Sequence, residues 1–162
     1  LAAIEQQGRA ALEDLDRVLA LMRDDGAAAR DVVGLEGVEA LVESATHAGQ
    51  PVDLSRGGDL NGVPRVVSAV AYRVVQEGLT NAMRHAAGAR TGVCVCAHDA
   101  RVTVRVENAA GQGPADARTA GGTGITGLRE RVTAVGGTLT AGPRDGGGFR
   151  LDAEIPYGGR DA

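Results

Sequence analysis

Three polar side chains in one segment could do chemistry together. In Tyr72-Arg73-Val74-Val75-Gln76-Glu77-Gly78-Leu79-Thr80-Asn81-Ala82-Met83-Arg84-His85-Ala86, the residues Glu77, Asn81 and His85 step by four and share one face of a helix. A carboxylate and a carboxamide oxygen one turn apart suit a hard cation such as Mg2+, which completes its shell with water and phosphate. A second segment, Gly121-Gly122-Thr123-Gly124-Ile125-Thr126-Gly127-Leu128-Arg129-Glu130-Arg131, runs a glycine loop into a helix start. Free N–H groups and the positive dipole end gather there, and glycines let the backbone approach phosphate closely. A third, Glu107-Asn108-Ala109-Ala110-Gly111-Gln112-Gly113, ends a strand with a carboxamide whose oxygen could accept from an amino group such as that of adenine. Each segment also has a plainer explanation: a solvated helix face, a common glycine turn before a helix, and a turn signal.

Composition removes several other chemistries. All basic residues in the 162-residue chain are Arg, so there is no Walker A lysine, no protein-kinase strand lysine and no Schiff base. Any phosphate must be held by backbone N–H groups, Arg, His or a metal. The net charge is −4 and the aromatics are only Tyr72, Phe149 and Tyr157, which argues against a base-stacking nucleic-acid platform. No apolar run reaches the length of a membrane span, so no membrane contact is expected of this chain. Ser is scarce and G-x-S-x-G, HExxH and paired C-x-x-C motifs are missing, which disfavours a serine hydrolase or a zinc enzyme. His47, His85 and His98 are scattered and make no zinc site. Cys94 and Cys96 alternate in an apolar run, which puts both on one face of a strand and predicts a place in the core.

The elements that must position these groups follow from periodicity. Residues 2–23 read as a helix with a stripe of Leu12, Leu15, Leu19 and Met22, followed by a linker over 27–34. A second amphipathic helix is predicted over 35–48 and a short strand over 51–55. Pro64 opens a long helix to about Ala87, with Val67, Val70, Ala71, Val74, Val75, Leu79 and Met83 facing inward and Gly88 at its C-terminal cap. Residues 91–97 and 101–108 alternate with period two and read as a hairpin. The stretch 109–124 reads as a mobile loop, 125–135 as a helix, and 138–141 with 148–155 as a closing hairpin. Helices mixed with hairpins predict an α+β fold, a two-layer sandwich on a largely antiparallel sheet.

In this order the three segments resemble the N, G1 and G2 boxes of the Bergerat (GHKL) ATP-binding fold. YRVVQEGLTNAMRHA and GGTGITGLRERV…GGTLTAGPRDGGGFRLDAEIP resemble the catalytic domain of a bacterial two-component sensor histidine kinase of the nitrate-sensor-like subfamily, whose partners are NarL-type response regulators. The resemblance covers about residues 31–156. It implies a catalytic domain over 31–157, and over 1–26 the second helix of the dimerisation and phosphoacceptor hairpin, with the first helix upstream of Leu1. By the same resemblance Asn81 coordinates the Mg2+ that bridges the ATP phosphates, and Glu77 is the catalytic acid that polarises the attacking group or a metal-bound water, and is a candidate second metal ligand. Arg84 and His85 stand at basic positions near the phosphates. Asn108 stands at the adenine-reading position, Gly111 and Gly113 at the G1 glycines, and Gly122, Thr123, Gly124, Gly127 and Leu128 along the G2 box. The loop 109–124 would be a lid over ATP or ADP. The full-length protein would be a homodimer, anchored in the membrane upstream of a cytoplasmic kinase.

Departures from the pattern shape the alternatives. Asn108 replaces the usual Asp, which keeps an acceptor and loses a charge. Thr123 stands where the subfamily often has His, and Phe149 where many relatives have Thr. No phosphoacceptor histidine is visible, so this chain alone would not autophosphorylate. An anti-sigma-factor-type serine kinase and a degenerate nucleotide-binding or scaffold domain are the rival readings.

Overall fold

A computed structural model describes residues 33–111 and 123–158. The helix expected over 2–23, most of the 27–34 linker and the central part of the lid lie outside the described residues. A 3₁₀ turn at Leu35–Gly37 leads into α1 (Val38–His47), and β1 (Val52–Gly58) follows. A second 3₁₀ turn at Leu60–Gly62 precedes α2 (Arg65–His85). The hairpin β2 (Thr91–His98) and β3 (Arg101–Asn108) comes next, then α3 (Thr123–Ala134), and β4 (Thr138–Pro143) and β5 (Phe149–Pro156) close the chain. The sheet order is β1-β2-β3-β5-β4, with β1 parallel to β2 and every other pair antiparallel. This is the expected two-layer α+β sandwich with a mixed, largely antiparallel sheet.

Period two decides which face of the sheet is covered. Thr91, Val93, Val95 and Ala97 of β2, Val102, Val104 and Val106 of β3, and Leu151, Ala153 and Ile155 of β5 are buried under the helices. A fully buried side chain of this kind contributes about 1.5–3 kcal/mol, so the helix-covered face holds the fold together. The opposite face carries ion pairs: Arg105 with Asp152 at 2.6 Å, Arg101 with Glu154 at 2.8 Å, and Arg150 with Glu107 at 2.8 Å. Cys94 and Cys96 lie on that outer face, half-buried, which corrects the expectation of a core position. They do share a face. The face is the outer one because the register gives the helix side to Val93 and Val95, the neighbours of Cys94 and Cys96.

The helix α2 is the hub. Gly78 lets it sit directly on β3: a methyl group there would lie 2.6 Å from Cβ of Val106. Val67, Ala71, Val74, Val75 and Leu79 are buried as expected, whereas Val70 and Met83 are half-buried. Those two fall on the flanks of the stripe centred on Ala71, Gly78 and Ala82. Tyr72, Gln76 and Thr80 are also buried, so α2 is covered on more sides than its apolar stripe predicts.

The end of α2 is tied to the start of β2 by one buried side chain. Nε2 of Gln50 donates to the carbonyls of Ala86 (3.2 Å) and Ala89 (2.8 Å) and to Oγ1 of Thr91 (2.9 Å). Its Oε1 accepts from the N–H of Gly88 at 3.0 Å. Gly88 has φ +77°, the left-handed conformation that ends helices on glycine.

Candidate functional site

The site is built from the C-terminal half of α2, the end of β3 and the start of α3. Glu77 and Asn81 are half-buried on α2, one turn apart, and Arg84 and His85 are exposed in its last turn. The start of α3 comes against this face. A methyl group at Gly124 would lie 2.9 Å from Cδ of Glu77, so a larger residue there would turn the Glu77 carboxyl group aside from the helix start. Gly127, half-buried one turn along, has open space: beyond its chain neighbours and its own helix backbone, no described atom lies within 4 Å of where its Cβ would be. Ile125 and Leu128 are buried and hold α3 to the core. Of the expected G2 residues, Gly124, Gly127 and Leu128 are therefore placed. Gly122 and the Thr123 side chain lie outside the described residues, as does Gly113.

Asn108 is buried at the end of β3, 8% exposed. Its Nδ2 donates to the carbonyl of Ala109 at 2.8 Å, which leaves Oδ1 as the acceptor. The segment after it turns back along α2: a methyl group at Gly111 would lie 3.0 Å from Cα of Ala86 and 3.3 Å from the carbonyl oxygen of His85. Gly111 thus joins the end of β3 to the last turn of α2. The sequence segments that carry the three boxes meet around α2, Glu77 with Gly124 and His85 with Gly111.

Two supports went unseen in the sequence. The first is Gln50, described above, which fixes where α2 ends. The second is the turn between β4 and β5, read from the sequence only as a connection. Nη1 of Arg144 donates to the carbonyl of Asn108 at 3.3 Å, and its Nε lies 3.6 Å from Oε2 of Glu107. Gly147 (φ +94°) and Gly148 (φ +90°) press on the same segment, and a methyl group at Gly147 would lie 2.9 Å from Cβ of Ala110. The run Pro143-Arg144-Asp145-Gly146-Gly147-Gly148 was the available signal, but a glycine run does not say what it packs against.

The donor set fits Mg2+ carried by a phosphate chain and fits no closed protein cage. Glu77 and Asn81 are oxygen donors of the kind Mg2+ takes in ones and twos. Among the described residues no group of three or more His, Cys, Asp or Glu side chains could hold a metal. Among those residues, too, no helix is long and apolar enough to cross a membrane. A cleft of about 220 Å³ lies at the other end of α2, lined by Leu35, Glu36, Arg56, Asn61, Arg65 and Ser68, and holds none of the expected site residues.

No family model matches the chain. It is 28% identical over 127 residues to the sensor histidine kinase YxjM of Bacillus subtilis, a stretch covering 77% of this chain and 30% of that protein. It is 41% identical over 85 residues to the signal transduction histidine-protein kinase/phosphatase UhpB of Salmonella typhimurium, covering 52% of this chain and 16% of that one. The chain thus spans less than a third of the length of these curated relatives. Among solved structures it resembles the histidine kinase domain of the Erythrobacter litoralis EL346 blue-light activated histidine kinase, with TM-score 0.59, 24% identity, and coverage of 92% of this chain and 74% of that one. It also resembles the catalytic domain of the histidine kinase ThkA, with TM-score 0.54, 18% identity, and coverage of 76% and 90%. The fold is that of histidine kinase catalytic domains.

Proposed function

We propose that this chain is the ATP-binding catalytic domain of a sensor histidine kinase. Its substrates would be ATP and a histidine outside this chain, and the phosphoryl group would pass on to an aspartate of a NarL-type response regulator. Residues 1–26 would be the second helix of a dimerisation hairpin, and the full-length homodimer would be membrane-anchored with this domain in the cytoplasm. The observation that carries this reading is the approach of Gly124 to Glu77, which brings a glycine-led helix start beside an acid–amide pair.

Bound Mg2+ would neutralise phosphate charge, the main demand of phosphoryl transfer. Asn81 would offer it a carboxamide oxygen and Glu77 a carboxylate. The N–H groups at the start of α3 would point at the phosphates, and Gly124 and Gly127 would let the backbone come close. Arg84 and His85 would supply the positive charge that a chain without lysine must find elsewhere. Asn108 would accept from the adenine amino group through Oδ1. Glu77 would polarise the attacking imidazole by accepting a hydrogen bond from it.

The test is calorimetric titration of the chain with ADP and ATP, with and without Mg2+, with GTP as control and Asn81→Ala alongside. Saturable adenine-selective binding whose Mg2+ dependence is lost in the variant is the expected result. No binding at millimolar nucleotide overturns the proposal.

A further inference from the structure

The outer face of the sheet holds a pair of thiols that the proposed ATP site does not use. Cys94 and Cys96 project from the same side of β2, with their Sγ atoms 3.8 Å apart. Two metal–sulfur bonds of about 2.3 Å at a tetrahedral angle separate their sulfurs by about 3.8 Å. The pair is therefore already spaced as one edge of a tetrahedral thiolate site.

Its surroundings leave it open to a small ion. On β1 the residue opposite Cys96 is Gly57, where a methyl group would lie 3.1 Å from Sγ of Cys96; any larger side chain would crowd that sulfur. On β3 the residues opposite are Arg105, facing Cys94, and Thr103, facing Cys96. The Arg105 guanidinium is held by Asp152 at 2.6 Å.

We propose that Cys94 and Cys96 form a two-thiolate chelate for a thiophilic divalent cation of the zinc type, with water in the remaining positions. Binding breaks two S–H bonds, releases both protons to solvent and forms two metal–sulfur bonds, with no change of oxidation state. His98 follows on the same face but does not join a three-residue metal cluster among the described residues. It is therefore outside the chelate.

Cd2+ is the probe, because its thiolate complexes absorb in the ultraviolet where the free ion does not. The full chain, kept reduced with a phosphine, is titrated with Cd2+ and then with Zn2+. A charge-transfer band saturating at about one Cd2+ per chain is expected, and excess Zn2+ should abolish it. Cys94→Ser and Cys96→Ser should each weaken binding about tenfold or more, and His98→Ala should leave it unchanged. The sulfurs lie on the outer face, so both serine variants should keep the wild-type circular dichroism spectrum. Absence of a saturating band overturns the proposal, as does a band that persists at full affinity in either serine variant. Loss of the band in His98→Ala would overturn the two-thiolate geometry.

Discussion

Gly124 and Glu77 meet so closely that a methyl group on the glycine would stand 2.9 Å from the carboxyl carbon. They are far apart in sequence and belong to different helices, and the contact puts the start of α3 beside the acidic face of α2. A side chain at 124 would displace the Glu77 carboxyl group from its place beside the helix start.

Gly127 separates binding from folding. It lies within α3 in open space, so Gly127→Ala removes the conformational freedom of a helical glycine without a clash. The variant should be more stable by about 0.5–1 kcal/mol in urea unfolding. It should bind ATP more weakly, since the added methyl group stands where phosphate would approach. Unchanged ATP affinity would remove Gly127 from the proposed site.

Asn108→Ala tests adenine reading. The substitution removes Oδ1 and the bond from Nδ2 to Ala109. Loss of one neutral hydrogen bond predicts about tenfold weaker ADP binding. Discrimination between ADP and GDP should narrow, which calorimetry with both nucleotides would read.

Gln50→Ala should be severely destabilising. It would remove the partner of the Gly88 N–H and the bonds from Nε2 to the carbonyls of Ala86 and Ala89, which retain their bonds from the Ala89 N–H and Thr91 Oγ1. About 2–4 kcal/mol of stability should be lost in urea unfolding, from the four lost hydrogen bonds and the cavity together. A loss under about 1 kcal/mol would mean that water replaces the amide there.

The hairpin turn between β2 and β3 carries removable strain. Asp99 and Ala100 have φ of +50° and +56°, as a two-residue turn that matches strand twist requires. Alanine gains nothing from a left-handed conformation, so Ala100→Gly should raise stability by about 0.5–1 kcal/mol. The melting temperature should rise accordingly.

Glu36 gives a pH dependence of defined sign. The backbone N–H groups of Glu36 itself and of Gly34, the latter 3.1 Å from Oε1, hold its carboxyl below the ordinary value of 4.5. A depressed carboxylate stabilises the fold fully above its unfolded value and loses that contribution as pH falls through the folded value. Glu36→Gln should therefore be less stable than wild type at neutral pH and match it once the pH lies below the folded-state value. Parallel acid and urea titrations would show whether the two curves converge.

Local pattern carried much of the fold. The period-two runs of 91–97 and 101–108, the helical steps after Pro64 and the glycine at 88 locate β2, β3 and α2 to within a residue or two of where they lie. These features depend on backbone geometry and on neighbours three or four residues away, which a sequence displays directly. Glu77 and Asn81 sharing a helix face is of the same kind. Which face of β2 is covered is not, because both Val93–Val95 and Cys94–Cys96 are apolar alternations. Packing decided it, by placing α2 over the valines and leaving the cysteines on the charged side. Packing likewise brought Gly124 to Glu77, Arg144 to Asn108 and Gln50 to Ala86. Those pairs are separated by dozens of residues, and their meeting depends on sheet order and helix placement, which no local periodicity encodes.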